Sequence, residues 1–269
     1  MLQAWHPLKV AFPSNAWLTL IVMMCGLSAN SLLAATPLAT TLEARLAGNA
    51  VQLRFTEPVR LDHATMQALQ HYQLSTLDVE WSSAGLFDLS HAFLFKREVL
   101  LKLADRQAAA PATQQALWTS LDTQLRHIDV AKRVFGILDP DWTRIAAQDN
   151  PRLNGQWLLT LKQKSTHVSV YGAVSKPGEV AWLNRRSAKD YAQAAGLFDE
   201  QISEIIVIQP DGTVQKHTVA YWNQNFAEVA PGAIIYVPLP LTHSAVYSDT
   251  ASTDINQLVI ELLRNRLPL

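Results

Sequence analysis

The stretch from His167 to Val237 limits the fold most, because its periodicity changes at each glycine or proline. Val168 to Trp182 (VSVYGAVSKPGEVAW) alternates, turns at Pro177-Gly178 and alternates again, as two half-buried strands do. Ser187 is an N-cap for a helix over Ala188–Ala195, and Gly196 offers the positive φ that ends it. Ile205 to Gln209 (IIVIQ) reads as a buried strand, Pro210-Asp211-Gly212 as a turn, and Val214 to Val219 as a strand. Pro231-Gly232 precedes a last strand over Ile234–Val237. Strand–strand–helix–strand–strand in about 70 residues predicts a small α+β roll in which a sheet grasps one helix.

A similar order opens the chain. Residues 36–49 are small and polar and read as a loose leader. Ala50 to Phe55 alternates as a strand, and Val59-Arg60-Leu61 is extended. Asp62 offers an N-cap to a helix with Met66, Leu69 and Tyr72 on one face. Trp81 to Ala104 then has apolar residues at helical spacing, as one long helix or a broken pair. Thr113 to Ile128 carries Leu117, Leu121, Leu125 and Ile128 on one stripe. With Pro111 at the joint, these segments predict a helical hairpin. Ala131 to Ile137 reads as a strand, Leu138 to Trp142 as a turn, Asn150 to Gly155 as a loop, and Gln156 to Leu161 as a strand.

The last segment, Asp254 to Arg266, places Ile255, Leu258, Val259, Leu262 and Leu263 at i, i+3, i+4, i+7 and i+8. At about 20 Å this amphipathic helix is shorter than the apolar core of a bilayer. It has three readings: docking on its own domain, binding a partner groove, or joining an oligomeric barrel. The five apolar residues are the expected partner-binding face. Residues 240–253, which precede it, read as a polar tether.

With 49% hydrophobic and 17% charged residues, the chain has enough apolar material for a packed core. A net charge of −1 gives no global field for nucleic acid. At the N-terminus, Lys9 precedes an apolar run from Ala16 to Leu27, followed by small residues. This fits a cleaved signal peptide over residues 1–35, with an uncleaved anchor as the alternative. Ala29-Asn30-Ser31 and the bond after Ala35 are both suitable cleavage sites. Cys25 is the only cysteine and lies in the apolar run behind Met24, which does not suit lipidation. Cleavage would leave a mature chain with no disulfide and no thiolate chemistry.

Val168-x-Val170-x-Gly172-x-Val174-x-x-Pro177-Gly178, then Ala194-Ala195-Gly196-Leu197, then Pro231-Gly232-x-Ile234-x-x-Val237-Pro238, resembles a β-grasp domain of the soluble-ligand-binding (SLBB) type found in polysaccharide export proteins. Ala233 stands where such domains usually carry an acidic residue. The segment order, together with Arg133-Val134-Phe135 and Leu138-Asp139-Pro140-Asp141-Trp142, resembles the GfcC/YjbG capsule-biosynthesis family. The resemblance implies an α+β fold with two β-grasp domains. The first covers residues 36–160 with a helical insert over about 81–128. The second covers 165–240, and a C-terminal amphipathic helix covers 253–266. It also implies a periplasmic protein, partial similarity to the exporter Wza, and no known enzymatic activity.

Catalytic spacings do not appear: there is no G-x-S-x-G, H-E-x-x-H, P-loop or G-x-G-x-x-G. The histidines at 63, 71, 91, 127, 167, 217 and 243 are scattered without ligand spacing, so neither a metal nor a cofactor is expected. Asp139 and Asp141 would suit a glycosidase pair if suitably separated, but Asp-Pro-Asp is ordinary turn chemistry. Arg133 is the expected ligand-binding residue. Its guanidinium suits a sugar carboxylate, and the plainer reading is a stem lying on apolar surface with its head in water. Trp81, Trp118, Trp142, Trp157, Trp182 and Trp222 offer either sugar-stacking faces or core filling.

These features favour a non-enzymatic periplasmic accessory protein of exopolysaccharide or group 4 capsule biosynthesis. Its expected partners are polysaccharide or polysaccharide-export proteins, not nucleic acid, with peripheral membrane association through the last helix. The alternatives are a polysaccharide-modifying enzyme and an exporter subunit.

Overall fold

The computed structural model describes residues 39–200, 202–220, 226–239 and 254–268. The expected signal peptide, Cys25, Trp222, His243 and the expected tether lie outside the described residues. The fold is mixed α+β.

The first sheet contains β1 (Thr40–Leu46), β2 (Asn49–Phe55), β4 (Gly85–Asp88), β5 (Lys132–Val134) and β7 (Gly155–Leu161), in the order β2-β1-β7-β4-β5. A minor pair joins β3 (Val59–Arg60) to β6 (Arg152–Leu153). β1 corrects the expected loose leader. Thr40, Leu42 and Ala44 are buried on alternate positions of this interior strand, which pairs with β2 on one side and β7 on the other. Its small polar composition hid a period of two. Helix α1 (Leu61–Tyr72) starts one residue before the expected cap; its N-cap residue, Arg60, makes no side-chain cap, and the Asn150 side chain accepts from Asp62 N instead (3.1 Å). It buries Leu61, Ala64, Thr65, Ala68 and Leu69, while Met66 turns outward.

The expected helix over Trp81–Ala104 is corrected too. Its first half contains β4, because Leu86 and Phe87 are needed between β7 and β5. Apart from a 3-10 turn at Trp81–Ser83, the helix is α2 (Phe95–Ala109), which forms a hairpin with α3 (Gln115–Arg126). The expected turn at Leu138–Trp142 includes one helical turn, α4 (Pro140–Thr143).

The second sheet contains β8 (His167–Gly172), β9 (Gly178–Ala181), β10 (Glu204–Ile208), β11 (Val214–Thr218) and β12 (Ile234–Val237), in the order β11-β10-β12-β8-β9. Helix α5 (Ala188–Ala194) packs on β12 and β10 and begins with the expected cap. Ser187 Oγ and the Asp190 carboxylate satisfy each other's backbone N–H groups in a capping box.

The helical hairpin follows β4 in sequence but shares a core with the second sheet. Val99, Leu103, Leu121 and Leu125 are buried with Val170, Tyr191, Ile205 and Ile235. Gln124 on α3 fixes this docking. Its amide oxygen accepts from Gly172 N (2.8 Å), and its Nε2 donates to Gly172 O (3.0 Å), as a neighbouring strand would. Gly172 has φ +97°, and a Cβ there would collide with the Val237 carbonyl and the Tyr236 ring.

The last helix, α6 (Ile255–Arg264), lies in the same core. Ile255, Leu258, Val259, Leu262 and Leu263 are between 0% and 7% exposed. This corrects the expected partner-binding face: these side chains are covered by α2 and the second sheet of their own chain. The burial also leaves no free apolar face on this helix for a membrane surface. No helix among the described residues is long and apolar enough to cross a membrane.

Leu262→Ala should therefore cost about 2–5 kcal/mol in urea unfolding, the range for truncating a core leucine. A loss under about 0.5 kcal/mol would be that of a surface residue. Gln124→Met should cost about 1–3 kcal/mol by leaving the buried Gly172 N–H without a partner and the Gly172 C=O with Val174 N alone. An unchanged midpoint would mean that the amide clamp adds nothing.

Candidate functional site

Arg133 lies on β5 opposite Phe87 of β4. Its side chain leaves the first sheet and reaches the second. Nη2 donates to the carbonyls of Ala84 (3.1 Å), just before β4, and Pro210 (2.8 Å), in the turn after β10. The guanidinium lies 5.4 Å from the centre of the Phe135 ring and 6.0 Å from that of Phe87. Arg133 thus spans a cleft between the two sheets and is partly buried there.

The other walls carry more positive charge. Lys162 follows β7, Arg264 ends α6, and Arg266 follows it; all line one cavity of about 70 Å³ with Arg133. Arg264 Nε donates to Gly212 O (3.0 Å), Nη1 pairs with Glu261 (2.7 Å), and its guanidinium stacks 4.3 Å from the Phe135 ring centre. Phe135 therefore has both Arg133 and Arg264 near its ring. Arg266 donates to the Tyr171 hydroxyl.

Lys162 differs from these. Its ammonium has no hydrogen-bond or ion-pair partner among the described residues. Burial pushes its pKa below the ordinary lysine value; Arg266 and Arg133 push it further down, and Glu179 partly offsets them. Burial also lowers Arg133, with Asp211 opposing and Arg264 adding to the shift, although a guanidinium stays protonated at any ordinary pH. The site therefore holds permanent positive charge with little contacting negative charge.

A larger groove, about 740 Å³, lies along α3. Thr119, Ser120 and Thr123 of that helix and His127 just after it line the groove with Tyr171 and Arg266. Arg266 lines both spaces.

Other expected candidates have structural roles. Asp139 is the N-cap of α4, and its Oδ1 accepts from Asp141 N (2.9 Å). Asp141 accepts from the Thr76 hydroxyl (2.7 Å) and pairs with Arg144 (3.5 Å). Among the described residues, no group of three His, Cys, Asp or Glu side chains is placed to hold a metal. Trp118 is in the core, while Trp81, Trp157 and Trp182 are partly buried with their indole N–H groups on backbone carbonyls. Trp142 is the exposed tryptophan among those described, at 47%. Of the cleft residues, sequence reasoning reached only Arg133. Lys162 is too far in the chain from Arg264 and Arg266 for any spacing rule to join them.

Residues 39–164 match the family described as "Capsule biosynthesis GfcC, N-terminal", and residues 176–268 match "Capsule biosynthesis GfcC C-terminal". The chain belongs to the GfcC capsule-biosynthesis family. It is also similar to "Uncharacterized protein YjbG" of Escherichia coli (strain K12). The two are 32% identical over 174 residues, which is 64% of this chain and 69% of that one. The two family segments meet near the cleft: Arg133 and Lys162 come from the first, and Arg264 and Arg266 from the second. Membership places the protein in capsule or exopolysaccharide biosynthesis.

The lysine makes the site sensitive to pH. Between its lowered pKa and the ordinary 10.5, the unfolded state binds more protons than the folded state. Stability therefore rises with pH through that window. Lys162→Met should remove this gain. The difference in unfolding free energy between variant and parent should shrink as pH rises toward 10.5. A pH-independent difference would show that Lys162 is as well solvated as a surface lysine.

Proposed function

We propose that this family member is a non-enzymatic periplasmic accessory protein of capsule or exopolysaccharide biosynthesis that binds the polysaccharide. We read its two five-stranded sheets as β-grasp-type units, the second of the soluble-ligand-binding kind. The cationic cleft carries this reading, because it concentrates hydrogen-bond donors without a facing pair of free carboxylates. A glycosidase needs an acid and a second carboxylate across the bond to be broken. Here Asp139 caps a helix, and Asp141 is held by Thr76 and Arg144. The hydroxyl-bearing groove along α3 and Tyr171 suit the hydroxyls and C–H faces of sugars.

An export protein is a second reading. Leu77 and Ile145 are 93% and 75% exposed, and Trp142 lies on the same part of the first half, joined through Thr76 and Asp141. Such side chains commonly anchor protein contacts.

The test combines fractionation with incubation. The protein should appear in the periplasmic fraction and stay in the cytoplasm when residues 1–35 are removed. Purified protein should bind polysaccharide from the producing cell without changing its chain length. Shortening of the polysaccharide, lost in Asp139→Asn or Asp141→Asn variants that remain folded, would establish the enzyme instead.

A further inference from the structure

The unpartnered ammonium of Lys162 has a companion in the same cavity. The Ser83 hydroxyl oxygen is buried and has no hydrogen-bond partner, although Ser83 lines the space that Lys162 faces. Buried polar groups are normally satisfied, and a charge removed from water is costly unless paired. Arg133 adds a third unused donor set. Both of its side-chain hydrogen bonds come from Nη2, so the Nε and Nη1 groups make none to the described residues. Three kinds of unused donor therefore line one cavity.

The nearby carboxylates do not neutralise this cluster. Glu261 is engaged by Arg264 and by Asn265 Nδ2. Asp211 accepts from the backbone N–H (2.8 Å) and hydroxyl (2.9 Å) of Thr213 within its own turn. Glu179 acts on Lys162 only at a distance. Among the described residues, four cations line the cavity and one carboxylate, Glu261, touches any of them. The missing component is negative charge.

Size narrows what can supply it. The cavity is about 70 Å³. That is well below the roughly 300–1,000 Å³ of an ordinary ligand pocket, so it suits a single substituent group and not a run of sugar rings. A carboxylate or a phosphate group fits, and either presents the paired oxygens that a guanidinium edge binds best.

We propose that this cavity is a subsite for a single oxyanion group, a carboxylate or phosphate borne by a sugar, held by Arg133, Lys162 and Ser83. Arg264 and Arg266 supply further positive potential and are held in place by their contacts with Gly212 and Tyr171. The sugar ring remains outside in the cleft. The selected ligand is thus an acidic glycan, one with uronate or phosphate substituents. This rests on the polysaccharide-binding reading above and goes further by naming the substituent that is recognised.

The test is a calorimetric titration of the purified protein with glucuronate, glucose 6-phosphate and glucose at low ionic strength. At least one of the two acids should bind, and glucose should give no signal. Whichever acid binds more tightly identifies the group. Lys162→Gln removes a charge without breaking any contact among the described residues, so it should fold. It should weaken acid binding at least tenfold, while its thermal midpoint without ligand stays the same or rises. Ser83→Ala should weaken binding by a smaller factor. The proposal is overturned if neither acid binds better than glucose, or if Lys162→Gln binds the acids as the parent does. Purified polysaccharide is the final arm. If it binds parent and Lys162→Gln equally, the oxyanion subsite is wrong and the broader binding role stands. If it does not bind the parent either, the binding role fails as well.

Discussion

The docking of α6 into the protein's own core is the constraint on which the rest of the structure depends. Six apolar side chains of this helix, from Ile255 to Leu263, are buried with α2, α3 and the second sheet. At about 1.5–3 kcal/mol for each buried aliphatic side chain, their gross contribution rivals the net stability of a whole domain. Polar contacts fix the register. Asn256 accepts from the Tyr236 hydroxyl (2.7 Å) and Leu239 N (2.9 Å), and donates to Leu239 O. At the other end, the Asn265 carbonyl accepts from Ala131 N (3.1 Å), its side chain accepts from Arg133 N (2.9 Å), and Leu267 N donates to Asp129 O (2.8 Å). One short segment therefore joins the second sheet, the helical hairpin and the edge strand of the first sheet.

The cationic cleft follows from that joint. Arg264 and Arg266 reach it because α6 ends there, and Arg133 is held across it by carbonyls from both halves of the chain. Bringing these groups and Lys162 together opposes folding through desolvation and mutual repulsion. The packing of α6 is strong enough to hold them. A stable scaffold that keeps unpaired charge in a small cavity has the form of a site that a ligand completes.

The sequence showed elements more clearly than their arrangement. α3, α5, α6 and every strand of the second sheet follow apolar periods with glycine, proline or serine at their ends, and each lies within a residue or two of its expected span. β1 was hidden because Thr40 and Ala44, both fully buried, are not residues that announce a strand interior. β4 was hidden because Leu86 and Phe87 continue into apolar residues at helical spacing. The pattern of α6 indicated a buried face but not what covers it, since an amphipathic helix looks the same whether its groove belongs to its own chain or to another. Arg133 drew attention as a cation between Ala131 and Phe135. Lys162, Arg264 and Arg266 could not, because only the tertiary fold brings residues from both family segments to one cavity.

Native-state hydrogen exchange tests the role of α6 most directly. The amides of Val259 to Leu263 should open with the same free energy as those of β12 and the α2–α3 hairpin, as one cooperative unit. The contrary result would be α6 amides that exchange through a much cheaper opening while those of the second sheet stay protected. That would make the helix a detachable element rather than the joint between the two halves.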